Sequence, residues 1–214
     1  TIILDLRLNQ GGNGELRHGL VRSLIKAVDA DTRLVALTAR GTFSASQFIL
    51  NDLVQLADAA IVGEAAGSSP THYGDAYRST LPNSGITIRT SIKYWQSGQD
   101  KRPWTPVDIA PAYRYADYLA GRDPALEAAL KFDPGQLVMH RIGEAAGKGA
   151  DAIAAVAGDP LYRHADVELA GWRMAMRLLR GGQRAEALTL ARWTARKFPR
   201  SADAAAGLAV VPHA

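Results

Sequence analysis

Two short, unbroken apolar runs rich in branched residues, Thr1 to Leu4 and Leu34 to Leu37, each give way to turn-forming residues and then to apolar positions at helical spacing. Strands buried on both faces of a parallel sheet have this character. After the first run Leu16, Leu20, Ser23-Leu24-Ile25 and Val28 recur at helical spacing, up to Asp29-Ala30-Asp31. After the second, the pattern predicts a helix from Ser44 to about Asp58, with Phe48, Ile49, Leu53 and Leu56 on its apolar side. Ala59 to Gly63 reads as a third strand. Strands alternating with helices indicate βαβ units, a mainly parallel sheet and right-handed crossovers, hence an α/β class.

The texture then changes. Tyr77 to Leu81 and Gly85 to Tyr94 read as two strands joined by the turn Pro82-Asn83-Ser84-Gly85. Alternation of Ile86, Ile88, Thr90, Ile92 and Tyr94 with polar residues predicts one buried and one solvated face. Asp123 suits an N-cap and Pro124 a first helical position, so a helix is expected over Ala125 to Phe132. From about residue 136 all reads helical. Leu169, Trp172, Met176 and Leu179 mark one helix, Gly181-Gly182 a break, and Ala185 to Phe198 a second helix, with Ala187 and Ala191 small enough for close approach. This pair resembles a tetratricopeptide-type hairpin, which needs a neighbour to bury its apolar stripe; residues 136–157 or another chain are expected to supply it.

Charge supports a division of the chain. Residues 1–134 carry 14 basic and 14 acidic side chains and residues 135–214 carry 11 and 7, so the net +4 lies in the C-terminal part. A turn signal at Asp133-Pro134-Gly135 falls at the same place, and two domains, 1–133 and 134–214, are expected. There is no cysteine, which excludes disulfides and thiolate metal sites. His18 reads as a surface residue, while His140, His164 and His213 lack metal-ligand spacing, so neither a metal nor a cofactor is expected. No apolar run is long enough to cross a bilayer. Arg173, Arg177, Arg180 and Arg184 fall at helical spacing but read as a solvated face, without the interleaved aromatics of a nucleic-acid module. Neither a Gly-x-Ser-x-Gly elbow nor a Walker loop is present. The chain opens at Thr1 inside a strand pattern with no initiator Met and no signal-like segment, which reads as a fragment of a longer protein.

The chemistry is expected where the first two strands end. Asp5-Leu6-Arg7-Leu8-Asn9-Gln10-Gly11-Gly12 offers unhindered backbone N–H groups, and Gly41-Thr42-Phe43-Ser44-Ala45-Ser46-Gln47 offers a hydroxyl at a helix start. A helix N-terminus favours developing negative charge, so a serine there beside glycine N–H donors reads as a nucleophile next to an oxyanion pocket. Ser44 to Gln47 also fits a capping box, in which the serine merely ties down helix N–H groups. Gly11-Gly12 likewise fits a tight turn with positive φ. Glu64 reads as a structural carboxylate.

These segments resemble, in order, the tail-specific or C-terminal-processing serine peptidases of the S41 type. The resemblance rests on Leu4-Asp5-Leu6-Arg7 with Asn9 and Gly11-Gly12; Ser44-Ala45-Ser46 with Gln47 where the family often has Glu; Ile61-Val62-Gly63-Glu64; Pro106 with Asp108; and Asp123-Pro124 before Leu126-Glu127 and Ala129-Leu130. It covers residues 1 to about 130. It implies a ClpP/crotonase-like parallel sheet with flanking helices and a β-hairpin extension, followed here by a small all-α helical-repeat-like region. It also implies a serine endopeptidase acting on extended peptide or protein substrates, with Ser44 as nucleophile and an oxyanion hole from Ala45 and Gly11 or Gly12. The chain departs from the family where the best-known branch has its lysine base: about 25 residues after Ser44 stands Ser69. Other branches use a histidine from well upstream, with a downstream Glu or Ser assisting. Within this chain His72 is the nearest substitute for the base. The missing lysine motivates a second reading, a catalytically inactive module of the same fold that binds peptides or apolar ligands, while acyl-thioester chemistry of crotonase type is a third. Similar proteins are exported to the periplasm or cell envelope, and the C-terminal helices are expected to recruit a protein partner.

Overall fold

The structure, a computed structural model, describes residues 1–28, 32–57, 59–96 and 102–210. The expected helix ends at Asp29-Ala30-Asp31 and Asp58, and His213, lie outside the described residues. The chain forms two compact units, Thr1–Thr105 and Pro106–Ala214. Compactness thus divides it after Thr105 rather than near Asp133-Pro134, and the helix capped by Asp123 belongs to the second unit.

The first unit is α/β. Strands β1 (Ile2–Asp5), β2 (Leu34–Thr38) and β3 (Ala60–Gly63) form a three-stranded parallel sheet in the order β1-β2-β3. The register pairs Ile3 with Val35 and Ala36 with Ile61. β2 is central and buried along its whole length, which is why its run is uniformly apolar. Helix α1 (Arg17–Ala27) follows β1, and helix α2 (Ala45–Leu56) follows β2. α2 is largely buried, with Leu50 and Leu53 at 0% exposure. α1 differs from expectation: Leu16, Leu20 and Ile25 are exposed, and Val21 is its buried residue. A three-stranded sheet with β1 at its edge offers that helix little apolar surface to cover.

Strands β4 (Thr71–Thr80) and β5 (Thr87–Gln96) form a separate antiparallel hairpin, longer than expected at its start. The alternating apolar face expected to be buried is not. Ile88, Ile92 and Tyr94, with Tyr73 and Tyr77 from the partner strand, are exposed. Only the base of the hairpin is packed, and from its opposite face. There Phe48 of α2 meets the ring of His72 at 5.1 Å between centroids and that of Trp95 at 5.4 Å. Beyond that base both faces of the hairpin are exposed, so the expected division into one buried and one solvated face does not hold.

The second unit is helical: α3 (Tyr115–Leu119), α4 (Pro124–Leu130), α5 (Val138–Ala146), α6 (Ala150–Ala157), α7 (Val167–Arg180), α8 (Arg184–Lys197) and α9 (Ala202–Val210). Asp123 caps α4 as expected, accepting the Leu126 N–H at 3.0 Å. The α7–α8 hairpin shares one core with α5 and α6, including Ile142, Ile153, Met174, Leu178 and Leu190. Residues 136–157 therefore are the neighbour it needs. α7 and α8 approach closely where Gly171 faces Thr194, and Ala187 and Ala191 are buried at the same seam. The core stripe of α7 runs through Ala170, Met174 and Leu178; Leu169, Trp172, Met176 and Leu179 are only half-buried. α7 packs against α5, α8 and α9, so its most central residues lie between the positions picked out by spacing alone. Arg173, Arg177, Arg180 and Arg184 are exposed, as expected. Among the described residues no helix is long and apolar enough to cross a membrane.

Candidate functional site

Loops following the three parallel strands converge, as is usual for sites in open α/β sheets. Thr42 laces the first two together. Its buried hydroxyl donates to Leu6 O at 2.9 Å and accepts the Ala39 N–H at 3.1 Å, while the Phe43 N–H donates to Asn9 O at 3.1 Å. The third joins through the Gly67 N–H to Thr42 O at 2.9 Å and the Glu64 N–H to Thr38 O at 2.9 Å. Glu64 thus contributes through its backbone, and Thr38 Oγ1 donates to its carbonyl at 2.7 Å. At the start of the first loop, a hydrogen bond from the Arg7 guanidinium holds the Asp5 carboxyl below its usual range, against the smaller opposing effect of burial.

Ser44 stands where these loops meet. Its backbone adopts φ 58°, ψ −120°, a left-handed conformation that L residues disfavour and that surrounding structure must hold. The holding contact is specific: the Ser44 N–H donates to Ser68 Oγ at 2.8 Å, and Ser68 is buried. The side chain of Ser44 makes no capping hydrogen bond to α2. Gln47, which a capping box would turn back towards the serine, is buried with its Nε2 donating to Asn51 Oδ1 at 2.8 Å and Thr105 Oγ1 at 2.6 Å. The capping-box alternative is therefore excluded. Ser44 is half-buried and opens onto a cavity of about 490 Å³ that Gly12, Ala45, Phe48, Asp75, Lys93 and Trp95 help to line.

The two glycines differ in their surroundings. Gly11 has φ 98°, and its N–H donates to Asn9 Oδ1 at 3.0 Å. A Cβ there would lie 2.8 Å from Ala45 N, Phe43 O and Ser44 Cβ, so this position presses directly on the serine turn and only glycine fits. Gly12 has open space where a Cβ would project. Among the described residues neither the Gly12 N–H nor the Ala45 N–H has a hydrogen-bond partner, and both residues line the cavity with Ser44. The fold leaves these two N–H groups unused.

His72 is not brought together with Ser44. It lies on β4 with Nδ1 3.0 Å from Ser69 O, which requires the proton on Nδ1. Its Nε2 is buried and has no partner among the described residues, and the ring stacks on Phe48. His72 is not part of the lining of either cavity that Ser44 opens onto. The reason is strand alternation combined with the Ser69 contact, which turns the ring into the base of the hairpin.

Asp75 and Lys93 did not stand out from the sequence. Lys93 Nζ is 2.7 Å from Asp75 Oδ2 and 5.1 Å from the ring of Trp95. Alternation would send Asp75 to the face of Tyr73 and Tyr77, but its φ of 51° breaks the pattern and brings the carboxylate to Lys93. Gly74-Asp75 inside an otherwise β-forming run was the available signal. Arg17 completes the wall: its Nε donates to Asp52 Oδ2 at 2.9 Å, and its guanidinium lies 5.4 Å from the Phe48 ring centroid. Among the described residues there is no cluster of His, Asp or Glu suited to a metal. No protein-family model matches this chain, and no curated protein matches it significantly.

Proposed function

We propose that this chain carries the catalytic core of a serine-type peptidase resembling the S41 type, on a ClpP/crotonase-like variant of the α/β architecture, and that it cleaves extended peptide or protein substrates. Ser44 Oγ attacks the scissile carbonyl, the Gly12 and Ala45 N–H groups receive the oxyanion, the C–N bond then breaks with the serine proton leaving on the amine, and water hydrolyses the resulting acyl-enzyme. One observation supports this reading above the rest: a serine held in a strained turn at a helix start, its hydroxyl unused by the fold and facing a cavity with two unpartnered N–H donors. Strain of this kind is retained where it orients a reacting group. Each oxyanion donor of this type is worth about 3–4 kcal/mol of transition-state stabilisation. By resemblance the protein acts in the periplasm or cell envelope, and the α5–α9 helices recruit a protein partner.

Reaction of the protein with a fluorophosphonate probe tests the assignment. Labelling of the wild type and none of Ser44→Ala is expected; equal labelling of both refutes it. A second reading, an inactive module that binds peptides, is favoured by one observation: no described side chain hydrogen-bonds Ser44 Oγ to act as its base. Peptide binding without labelling of Ser44 supports that alternative.

A further inference from the structure

Ser44 opens onto a second cavity, of about 540 Å³, and the two differ in charge balance. In the first each cation is neutralised, Arg17 by Asp52 at 2.9 Å and Lys93 by Asp75 at 2.7 Å. The second is lined by Gln10, Phe43, Ser44, Asp75, Arg40 and Arg89 among others. Its one carboxylate is Asp75, already engaged with Lys93. The side chains of Arg40 and Arg89 have neither a hydrogen bond nor an ion pair to a described residue. Arg40 sits in a turn closed by the Thr42 N–H to Ala39 O at 2.9 Å and by the Thr42 hydroxyl, so its backbone is fixed beside Ser44. Arg89 pairs directly across the hairpin with Arg78, and like charges in that relation repel. An anion held there lessens the repulsion.

We propose that this second cavity is a carboxylate-binding subsite adjoining Ser44, in which Arg40 and Arg89 hold an acidic group of the bound peptide. The proposal rests on the reading of Ser44 as the centre of a peptide site, and it goes beyond it by assigning substrate charge. The carboxylate comes from an Asp or Glu side chain or from a free C-terminus; guanidinium groups recognise both by the same paired N–H donation. Both arginines are exposed, so solvent and salt screen the contact and the expected preference is modest, about tenfold.

The test uses full-chain Ser44→Ala, so that binding is read without turnover. Fluorescein-labelled hexapeptide pools built from Ala, Leu, Val and Ser are compared by anisotropy: one with a fixed Gln and an amidated end, one with a fixed Glu and an amidated end, and one with a fixed Gln and a free carboxylate end. Binding about tenfold tighter for the Glu pool, the free-acid pool or both is expected, and the responding arm identifies the source of the carboxylate. That preference should vanish in Arg40→Gln/Arg89→Gln and in about 0.5 M salt. Arg89→Glu, a single exposed change, should reverse it in favour of a pool with a fixed Lys. Equal binding of all pools, binding of none, or a preference that survives the double substitution overturns the proposal. Fluorophosphonate labelling of the wild type is read separately, so failure of the peptidase assignment is distinguishable from failure of the subsite.

Discussion

Replacing Ser44 by alanine and by glycine separates backbone strain from side-chain chemistry. Its hydroxyl makes no hydrogen bond within the described fold, and the residue is half-buried, so Ser44→Ala removes nothing that stabilises the protein and should lie within about 0.5 kcal/mol of wild type. Alanine, however, retains a Cβ at φ 58°, ψ −120°, where an L residue is strained by about 1–3 kcal/mol. Glycine removes that strain but loses about 0.5–1 kcal/mol through greater freedom of the unfolded chain. The balance makes Ser44→Gly more stable than Ser44→Ala by about 1 kcal/mol. For a chain of 214 residues that difference raises Tm by about 2–4 °C. Calorimetric melts of both variants measure it directly. A glycine variant no more stable than the alanine variant would show that the turn is relaxed, and the argument that the fold pre-sets this hydroxyl would fail.

Two further substitutions probe the neighbours of that turn. Gly11→Ala places a Cβ 2.8 Å from Ala45 N, Phe43 O and Ser44 Cβ at a φ of 98°, and should destabilise by about 2–3 kcal/mol and slow fluorophosphonate labelling; a wild-type melt and labelling rate would contradict the close packing. Ser68→Ala leaves the Ser44 N–H without its acceptor in a buried setting, a loss of about 1–3 kcal/mol, whereas Ser68→Thr keeps the oxygen and should restore both melt and labelling; failure of threonine to rescue would assign the effect to packing rather than to the hydrogen bond.

Much of this protein was fixed by short-range pattern. Apolar runs at 1–4, 34–37 and 59–63 specify parallel strands, fully buried in β2 and β3 and half-buried in the edge strand β1, and Asp123-Pro124 specifies a helix start from its own chemistry. Gly11, Gly12 and Ser44 could be singled out for the same reason: residue types that tolerate or exploit a helix start and a tight turn are few. What tertiary structure alone decided is which groups meet. Asn9 occupies the Gly11 N–H and leaves Gly12 free; Ser68 from a distant loop holds the Ser44 backbone; His72 turns to Ser69 O and Phe48 instead of the serine; and a left-handed residue in a strand sends Asp75 to Lys93. Periodicity likewise located the faces of the hairpin and of α7 without telling which side would be covered. Local sequence restricts each residue's own backbone and partners a few positions away, whereas a side chain's contact across loops depends on how the sheet, α2 and the hairpin pack together, and that is a property of the assembled chain.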